Sequence, residues 1–251
     1  MRFVGIIPSR YASTRFEGKP LAMVQGKPMI QRVYEQTQKV FAHACFVATD
    51  DVRIANAVAD FGGQYVMTSA AHQSGTDRCA EAVQMIEKQM QQTFDVVVNV
   101  QGDEPFIVPQ QLQQIKDCFD NAEVQIATLV KPFAGDEDIF SVNTPKVVMD
   151  NAGNVLYFSR SSIPFVRNAP QREWASAHAF FKHIGLYAYR TNVLQKISAL
   201  PQSSLELAES LEQLRWLQNG YRIRAAITHY PSHAIDTPAD LERLNSMQFE
   251  G

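Results

Sequence analysis

Cysteine is scarce: Cys45, Cys79 and Cys118 stand far apart, with no CxxC pair among 251 residues. An odd count at such spacing supplies neither a disulfide framework nor a cysteine zinc site, and a reducing cytoplasm is the expected compartment. No segment approaches the roughly 20 apolar residues of a membrane span, so no membrane association is expected. The first apolar run, Phe3 to Ile7, is too short for the hydrophobic region of a signal peptide. Charge of neither sign dominates: a net charge of -3 and a pI near 6.1 argue against a broad nucleic-acid surface. The usual phosphate fingerprints are also missing. No GxGxxG occurs, and Gly18-Lys19 is followed by Pro20 rather than Ser or Thr, which disfavours a Rossmann dehydrogenase and a P-loop ATPase. His43, His72, His178, His229 and His233 lack metal-ligand spacing such as HExxH and receive no catalytic role.

What is present reads as an ordinary globular chain, 45% apolar and 20% charged. Phe3 to Ile7, ended by Pro8, has the pattern of a strand buried on both faces of a parallel sheet. Pro28 opens a helical stretch with Ile30, Val33, Tyr34, Thr37 and Val40 on one face. The rhythm continues as strand Cys45 to Ala48, helix Asp51 to Phe61, strand Gln64 to Met67, helix Gly75 to Met90 and strand Val96 to Val100. A helix from Pro109 to Phe119 and a strand from Gln125 to Val130 follow. Such alternation predicts an α/β fold with a doubly wound, mostly parallel sheet in a single domain. Lys146 to Met149 and Val155 to Phe158, joined by Asn151-Ala152-Gly153, read as a hairpin. With the polar stretch Arg167 to Ala177 and the strand Ile184 to Arg190, it suggests a β-rich insertion at about 145–190 that roofs a site. Leu205 to Leu217 predicts one helix, capped by Ser203 or Ser204 and ended by Asn219-Gly220, and Thr237-Pro238 starts the last helix.

Three stretches carry chemistry. After the first strand, SRYASTRFEGKPL sets Arg10, Arg15 and Lys19 among small residues, including Ser13. In an α/β sheet ligands bind beyond the carboxyl ends of strands, and backbone N–H groups beside cations suit a triphosphate; the plain alternative is a solvated basic loop. The strand VVVNV ends in Gln101, Gly102, Asp103 and Glu104, with Pro105 stopping its continuation. A carboxylate there is placed to hold Mg2+, which takes hard oxygen ligands together with phosphates and waters; a turn or helix-capping acid is the alternative. Asp236 offers a second carboxylate after another apolar run, where a helix cap before Pro238 is the simpler reading. In HQSGTDR, Ser74, Gly75 and Arg78 precede a helix and suit either a nucleotide contact or an N-terminal cap.

The ordered set IIPSRYAST-R-FEGKPL, HQSGTDR, NVQGDEP, YFSRSSIP, KHIGLYAYR, LEQLRWLQNG and IDTP resembles the 3-deoxy-manno-octulosonate cytidylyltransferase family over nearly the whole chain. The resemblance implies a nucleotide-diphospho-sugar transferase-like fold and transfer of CMP from CTP to the anomeric hydroxyl of Kdo, an eight-carbon acidic sugar, with loss of pyrophosphate. It implies that Arg10, Arg15 and Lys19 hold the triphosphate and that Ser13, Ser74, Gly75, Arg78 and Gln101 contact the nucleotide. Asp103 and Asp236 would share Mg2+, and Arg160, His183, Tyr187, Glu212 and Gln213 would line the sugar pocket. Read without the family, Arg160 is a surface cation, Tyr187 a core aromatic, and Glu212 with Gln213 a solvated helix face. The family also implies a cytoplasmic homodimer, formed through the insertion, in lipopolysaccharide biosynthesis. One position departs: the family usually has proline before the Gly-Lys of the first loop, and here it is Glu17, whose side chain is expected to face solvent. Rival readings are a related nucleotidyltransferase acting on sialic acid, methylerythritol phosphate or an amino analogue of Kdo, and a nucleotide sensor without metal acids.

Overall fold

Apolar continuity decides the frame. Val4, Ile6 and Ile7 are wholly removed from water, as are Cys45 to Ala48 and Val96 to Val98. Fully burying one such aliphatic side chain stabilises by roughly 1.5–3 kcal/mol, so three short strands covered on both faces make a rigid support for the loops at their ends. The structure, a computed structural model, describes residues 1–12, 16–135, 137–231, 234–235 and 237–246. In chain order the strands are β1 (Phe3–Ser9), β2 (Met23–Val24), β3 (Lys27–Pro28), β4 (Cys45–Thr49), β5 (Tyr65–Met67), β6 (Val96–Asn99), β7 (Ile126–Pro132), β8 (Lys146–Met149), β9 (Val155–Ser159), β10 (Phe181–Arg190) and β11 (Ile223–Ile227). The helices are α1 (Met29–Phe41), α2 (Val52–Asp60), α3 (Gly75–Met90), α4 (Pro109–Asp117), α5 (Trp174–Ala177), α6 (Thr191–Ser198), α7 (Ser204–Glu209), α8 (Gln213–Gln218) and α9 (Pro238–Ser246).

Residues 1–113, 188–198 and 231–251 form one compact unit, and residues 114–187 with 199–230 form another. In the first, β1 pairs in parallel with β4 and β6, and β4 with β5, giving the order β6-β1-β4-β5. Crossovers between parallel strands are right-handed, so the steps β1 to β4 to β5 put α1 and α2 on one face and the return to β6 puts α3 on the other. Close helix approach has a residue-level cause. A Cβ on Gly5 of β1 would stand 2.7 Å from Phe41 and 2.8 Å from Thr37 of α1. In the second unit β7 and β11 run parallel, β8 and β9 form the expected antiparallel hairpin with Gly153 at positive φ, and β8 pairs antiparallel with β10. The pairing is mostly parallel, as expected.

Several boundaries differ from the sequence reading. Pro8 does not end β1, which runs to Ser9. Val100 N donates to Ile6 O, so Pro8, two residues on, turns its main chain to the same side, beyond the end of β6 at Asn99, where no ladder bond is lost. The last long strand begins at Phe181 rather than Ile184, and α6 and β11 were not foreseen. The single helix expected over Leu205 to Leu217 is two, α7 and α8, split at Ser210, whose φ of 51° is left-handed. That conformation costs on the order of 1–2 kcal/mol outside glycine. It is offset by Arg160, whose Nε and Nη2 take the Glu209 and Ser210 carbonyls, and by Arg215 of α8, whose Nε and Nη2 bond both Glu206 carboxylate oxygens of α7 at 2.8 and 2.5 Å.

Burial alone would raise the Glu206 pKa, but the Arg215 fork and the Ser203 N–H hold it below the ordinary value. A depressed carboxyl contributes stability that is present above its unfolded pKa and lost as pH falls through the folded one. Arg215→Met, which strands a buried carboxylate, is expected to lower unfolding free energy by about 3–5 kcal/mol at pH 7 in denaturant titrations. The wild type should lose this increment below about pH 4 and the variant should not, given ordinary unfolded Glu values. Parallel acid profiles would remove the pair from this role.

Candidate active site

The strand order reverses at β1, and the crevice beyond the carboxyl ends of β1 and β6 is where an open α/β sheet binds ligands. A cavity of about 220 Å³ lies there. Pro8, Ser9 and Arg10 line it from the end of β1, and Gln101, Gly102 and Asp103 from the end of β6. His72 to Gly75 and Arg78 enter from the start of α3, and Lys19 and Pro20 complete the wall. Arg10, Lys19, Ser74, Gly75, Arg78, Gln101 and Asp103, picked from separate stretches of sequence, are thus brought into one cavity. Ser13, Arg15 and Asp236 lie outside the described residues.

Each wall is held by local chemistry. The first loop is closed by the Gly18 N–H bond to Tyr11 O at 3.0 Å. Gly18 has φ 68°, and a Cβ there would meet the Tyr11 ring at 3.2 Å, so glycine is required on two counts. Glu17 is exposed, as expected. Lys19 Nζ bonds Asp103 Oδ2 at 2.7 Å, with the two side chains only 16% and 28% exposed. No described residue bonds Asp103 Oδ1. The Asp103 main-chain carbonyl accepts from Ile235 N at 2.9 Å, which ties the segment before Asp236 to the same strand end.

Ser74 caps α3: its hydroxyl accepts from Asp77 N while Asp77 Oδ2 accepts from Ser74 N, a capping box. Ser74 is thus a helix cap that also lines the cavity, and the cap aims the positive end of a 16-residue helix at that cavity. Arg78 is engaged by the protein. Its Nη1 donates to Thr68 Oγ1 at 2.6 Å and its Nη2 to Asp50 Oδ2 at 2.9 Å, with 4% of the side chain exposed. It is a strut for the 68–78 loop. Ser9, His72 and Asp50 were missed by sequence reasoning. His72 Nε2 lies 2.5 Å from Glu81 Oε2, and only the fold brings Asp50 at the end of β4 to Arg78. Cations and a helix N-terminus beside a carboxylate with one oxygen that no described residue bonds give a site able to hold a polyphosphate and a hard metal ion together.

The second unit holds the other predicted residues. Arg160 is no free surface cation: Nε, Nη1 and Nη2 donate to Glu209 O, Val142 O and Ser210 O, and its N–H donates to Glu209 Oε2. The wholly buried Lys146 donates to Ser141 O and Arg160 O, and desolvation lowers its pKa. Gln213 is buried and Glu212 half-buried at the start of α8, so they do not form a solvated helix face. Tyr187 is buried, edge-on to Trp216 at 5.1 Å and 5.1 Å from the His183 ring. Loss of water around His183 holds its pKa down to about 3, so the imidazole is neutral near pH 7.

A family model described as cytidylyltransferase matches residues 4–223. The chain is 60% identical over 247 residues to the 3-deoxy-manno-octulosonate cytidylyltransferase of Parabacteroides distasonis, covering 97% of this chain and 96% of that one. The chain belongs to the 3-deoxy-manno-octulosonate cytidylyltransferase family. The protein of that name from Bacteroides thetaiotaomicron is also 60% identical, over 96% of each chain. The solved structure of CMP:2-keto-3-deoxy-manno-octonic acid synthetase complexed with CTP superposes with a TM-score of 0.88 at 42% identity, over 98% of each chain. A 4-diphosphocytidyl-2C-methyl-D-erythritolsynthase from Anaerococcus prevotii reaches a TM-score of 0.58 at 12% identity, covering 98% of this chain and 97% of that one, and shares the fold alone. As a member of the cytidylyltransferase family the chain is a nucleotidyltransferase.

Gly102 tests the cavity wall. A Cβ there would stand 2.9 Å from Ser9 Oγ and 3.2 Å from Pro8 O. Gly102→Ala should push the two strand ends apart and weaken CTP binding by about tenfold in calorimetric titration, a loss of about 1.4 kcal/mol. An unchanged affinity would mean that the nucleotide does not use this wall.

Proposed function

We propose that the chain transfers CMP from CTP to the anomeric hydroxyl of Kdo, releasing pyrophosphate, with Mg2+ as its cofactor. The observation that carries the reading is the Lys19–Asp103 pair, set beside Arg10 and the N-terminus of α3 in one cavity. The likeness to a synthetase complexed with CTP supports the nucleotide, and the shared name of relatives up to 60% identical supports the sugar. A nucleotide sensor has no need of the carboxylate.

Bond making is simple and positioning is the difficulty. The anomeric oxygen attacks the α-phosphorus while the bond to the pyrophosphate oxygen breaks in line, so geometry and charge neutralisation do most of the work. Arg10, Arg15 and Lys19 hold the triphosphate and stabilise the departing pyrophosphate. Gln101, Ser13, Ser74 and Gly75 orient the nucleotide, and Arg78 keeps the 68–78 loop that carries Ser74 and Gly75 in place through Asp50 and Thr68. The donor set fits Mg2+: Asp103 offers a hard oxygen with no described partner, and one or two carboxylates plus phosphates and waters are its usual shell. Asp103 would hold the ion together with Asp236, whose neighbour Ile235 bonds Asp103 O. When bound, the ion neutralises phosphate charge and lowers the pKa of the attacking hydroxyl. With its carboxylate given to the ion, Asp103 would leave the Lys19 ammonium, to which it is bonded at 2.7 Å, for the phosphates.

Arg160, His183, Tyr187, Glu212 and Gln213 take the sugar: a cation for its carboxylate and hydrogen-bonding groups for its hydroxyls. The insertion at about 145–190 roofs this pocket and carries the homodimer contact. In support, Leu156 and Phe165 of the insertion are 61% and 72% exposed, apolar side chains that a partner copy would cover. The reaction belongs to lipopolysaccharide biosynthesis in the cytoplasm; no helix among the described residues is long and apolar enough to cross a membrane.

Pyrophosphate release should require Mg2+, CTP and Kdo together. Release with UTP and a neutral sugar, but none with CTP and Kdo, would sink the assignment. Asp103→Asn is expected to lower turnover at least about a hundredfold, since a metal supplies several kcal/mol of transition-state stabilisation and each 1.4 kcal/mol is tenfold. Near-normal turnover would remove Asp103 from the metal site.

A further inference from the structure

Thr128 lies in β7 with no exposed surface and belongs to none of the sequence motifs. Its Oγ1 is 2.9 Å from Leu186 O and 3.3 Å from Ile184 O, both in β10, and 3.0 Å from His183 Nε2. A hydroxyl has one proton and two lone pairs. The two carbonyl oxygens can only accept, so the proton must point toward them; otherwise lone pair would face lone pair around a hydroxyl that has no exposed surface. Oγ1 is then an acceptor on the side of His183, and Nε2 must carry the imidazole proton. The ring is neutral, so Nδ1 is bare. No described residue hydrogen-bonds Nδ1. Phe158, edge-on at 5.3 Å, and Tyr187, at 5.1 Å, flank the ring and hold its orientation.

We propose that Thr128 is a positioning residue: it locks His183 as the Nε2–H tautomer, so that the ring offers Nδ1 only as a hydrogen-bond acceptor and selects a hydroxyl donor of the acidic sugar. The inference rests on His183 being a sugar contact, as read above. It also assigns direction to that contact. A sugar whose oxygen at this point cannot donate leaves two lone pairs opposed, so Thr128, one residue removed from substrate, acts on specificity. Because the hydroxyl is closed between two strands, its own proton has nowhere else to go.

Two measurements decide it. Long-range proton–nitrogen correlation spectra of 15N-histidine-labelled protein, with His183 identified by its loss in His183→Ala, should show protonated Nε2 and unprotonated Nδ1. A protonated Nδ1 would overturn the proposal whatever the variants do. In steady-state kinetics Thr128→Val, nearly the same shape without the acceptor, should raise KM for Kdo about fivefold to tenfold, the effect of one neutral hydrogen bond. KM for CTP and kcat should stay near wild type, and Thr128→Ser should restore both KM and tautomer. A general packing defect would move CTP and kcat as well and would not be rescued by serine. If His183→Ala raises KM for Kdo while Thr128→Val leaves it unchanged, the positioning role fails and the sugar contact stands. If neither variant changes it, the sugar contact fails and this proposal with it.

Discussion

Right-handed crossovers wind β4 and β5 to one side of β1 and return the chain to β6 on the other, and much of the site follows from that reversal. Loops leaving β1 and β6 diverge, so a crevice opens between the ends of two strands that are packed on both faces. Side chains with no reason to meet in sequence then share it. Lys19 and Asp103, 84 positions apart, close to 2.7 Å, and the N-terminus of α3 points into the same space. The strain of bringing backbone this close is taken by residues without side chains, Gly18 under Tyr11 and Gly102 against Ser9 and Pro8.

The Lys19–Asp103 pair is an arrangement in waiting rather than a stabilising device. Partly exposed ion pairs contribute little to folding, on the order of 0–1 kcal/mol, because solvation competes with the attraction. What the pair does is keep an ammonium and a carboxylate oriented toward the same cavity, each satisfied by the other. By contrast, Glu206–Arg215 is buried, with both carboxylate oxygens bonded. It fixes the angle between two short helices and, with the Arg160 clasp on Glu209 and Ser210, holds Gln213 and Glu212 away from the solvated face that periodicity suggested.

The elements with strong local signals were legible. The apolar runs of β4 and β6 and the capped helix from Gly75 to Met90 needed no tertiary help, since burial on both faces and a Ser74–Asp77 box are written in neighbouring residues. Boundaries failed where distant groups decided them. Pro8 continues β1 because β6 has already stopped, and the chain breaks at Ser210 because Arg160, 50 positions away, takes its carbonyl. In the site, Arg10, Lys19, Gln101 and Asp103 were identifiable as charged or polar groups at strand ends. Asp50, Ser9 and Thr128 were not, because a short polar residue at the end of a strand or inside one carries no local sign of its partner.

By itself the sequence determined the chemistry available: which strand ends carry cations, which carry acids, and that it holds neither a cysteine zinc spacing nor a dinucleotide fingerprint. Family motifs in order then narrowed the reaction to cytidylyl transfer. Only the tertiary structure decided which of those groups face one another, that Arg78 is a strut bound to Asp50, and that Thr128 stands against Nε2 of His183. The reason is physical. Residue type sets what a group can donate, accept or neutralise, whereas pairing, burial and tautomer depend on neighbours that the chain brings from far away.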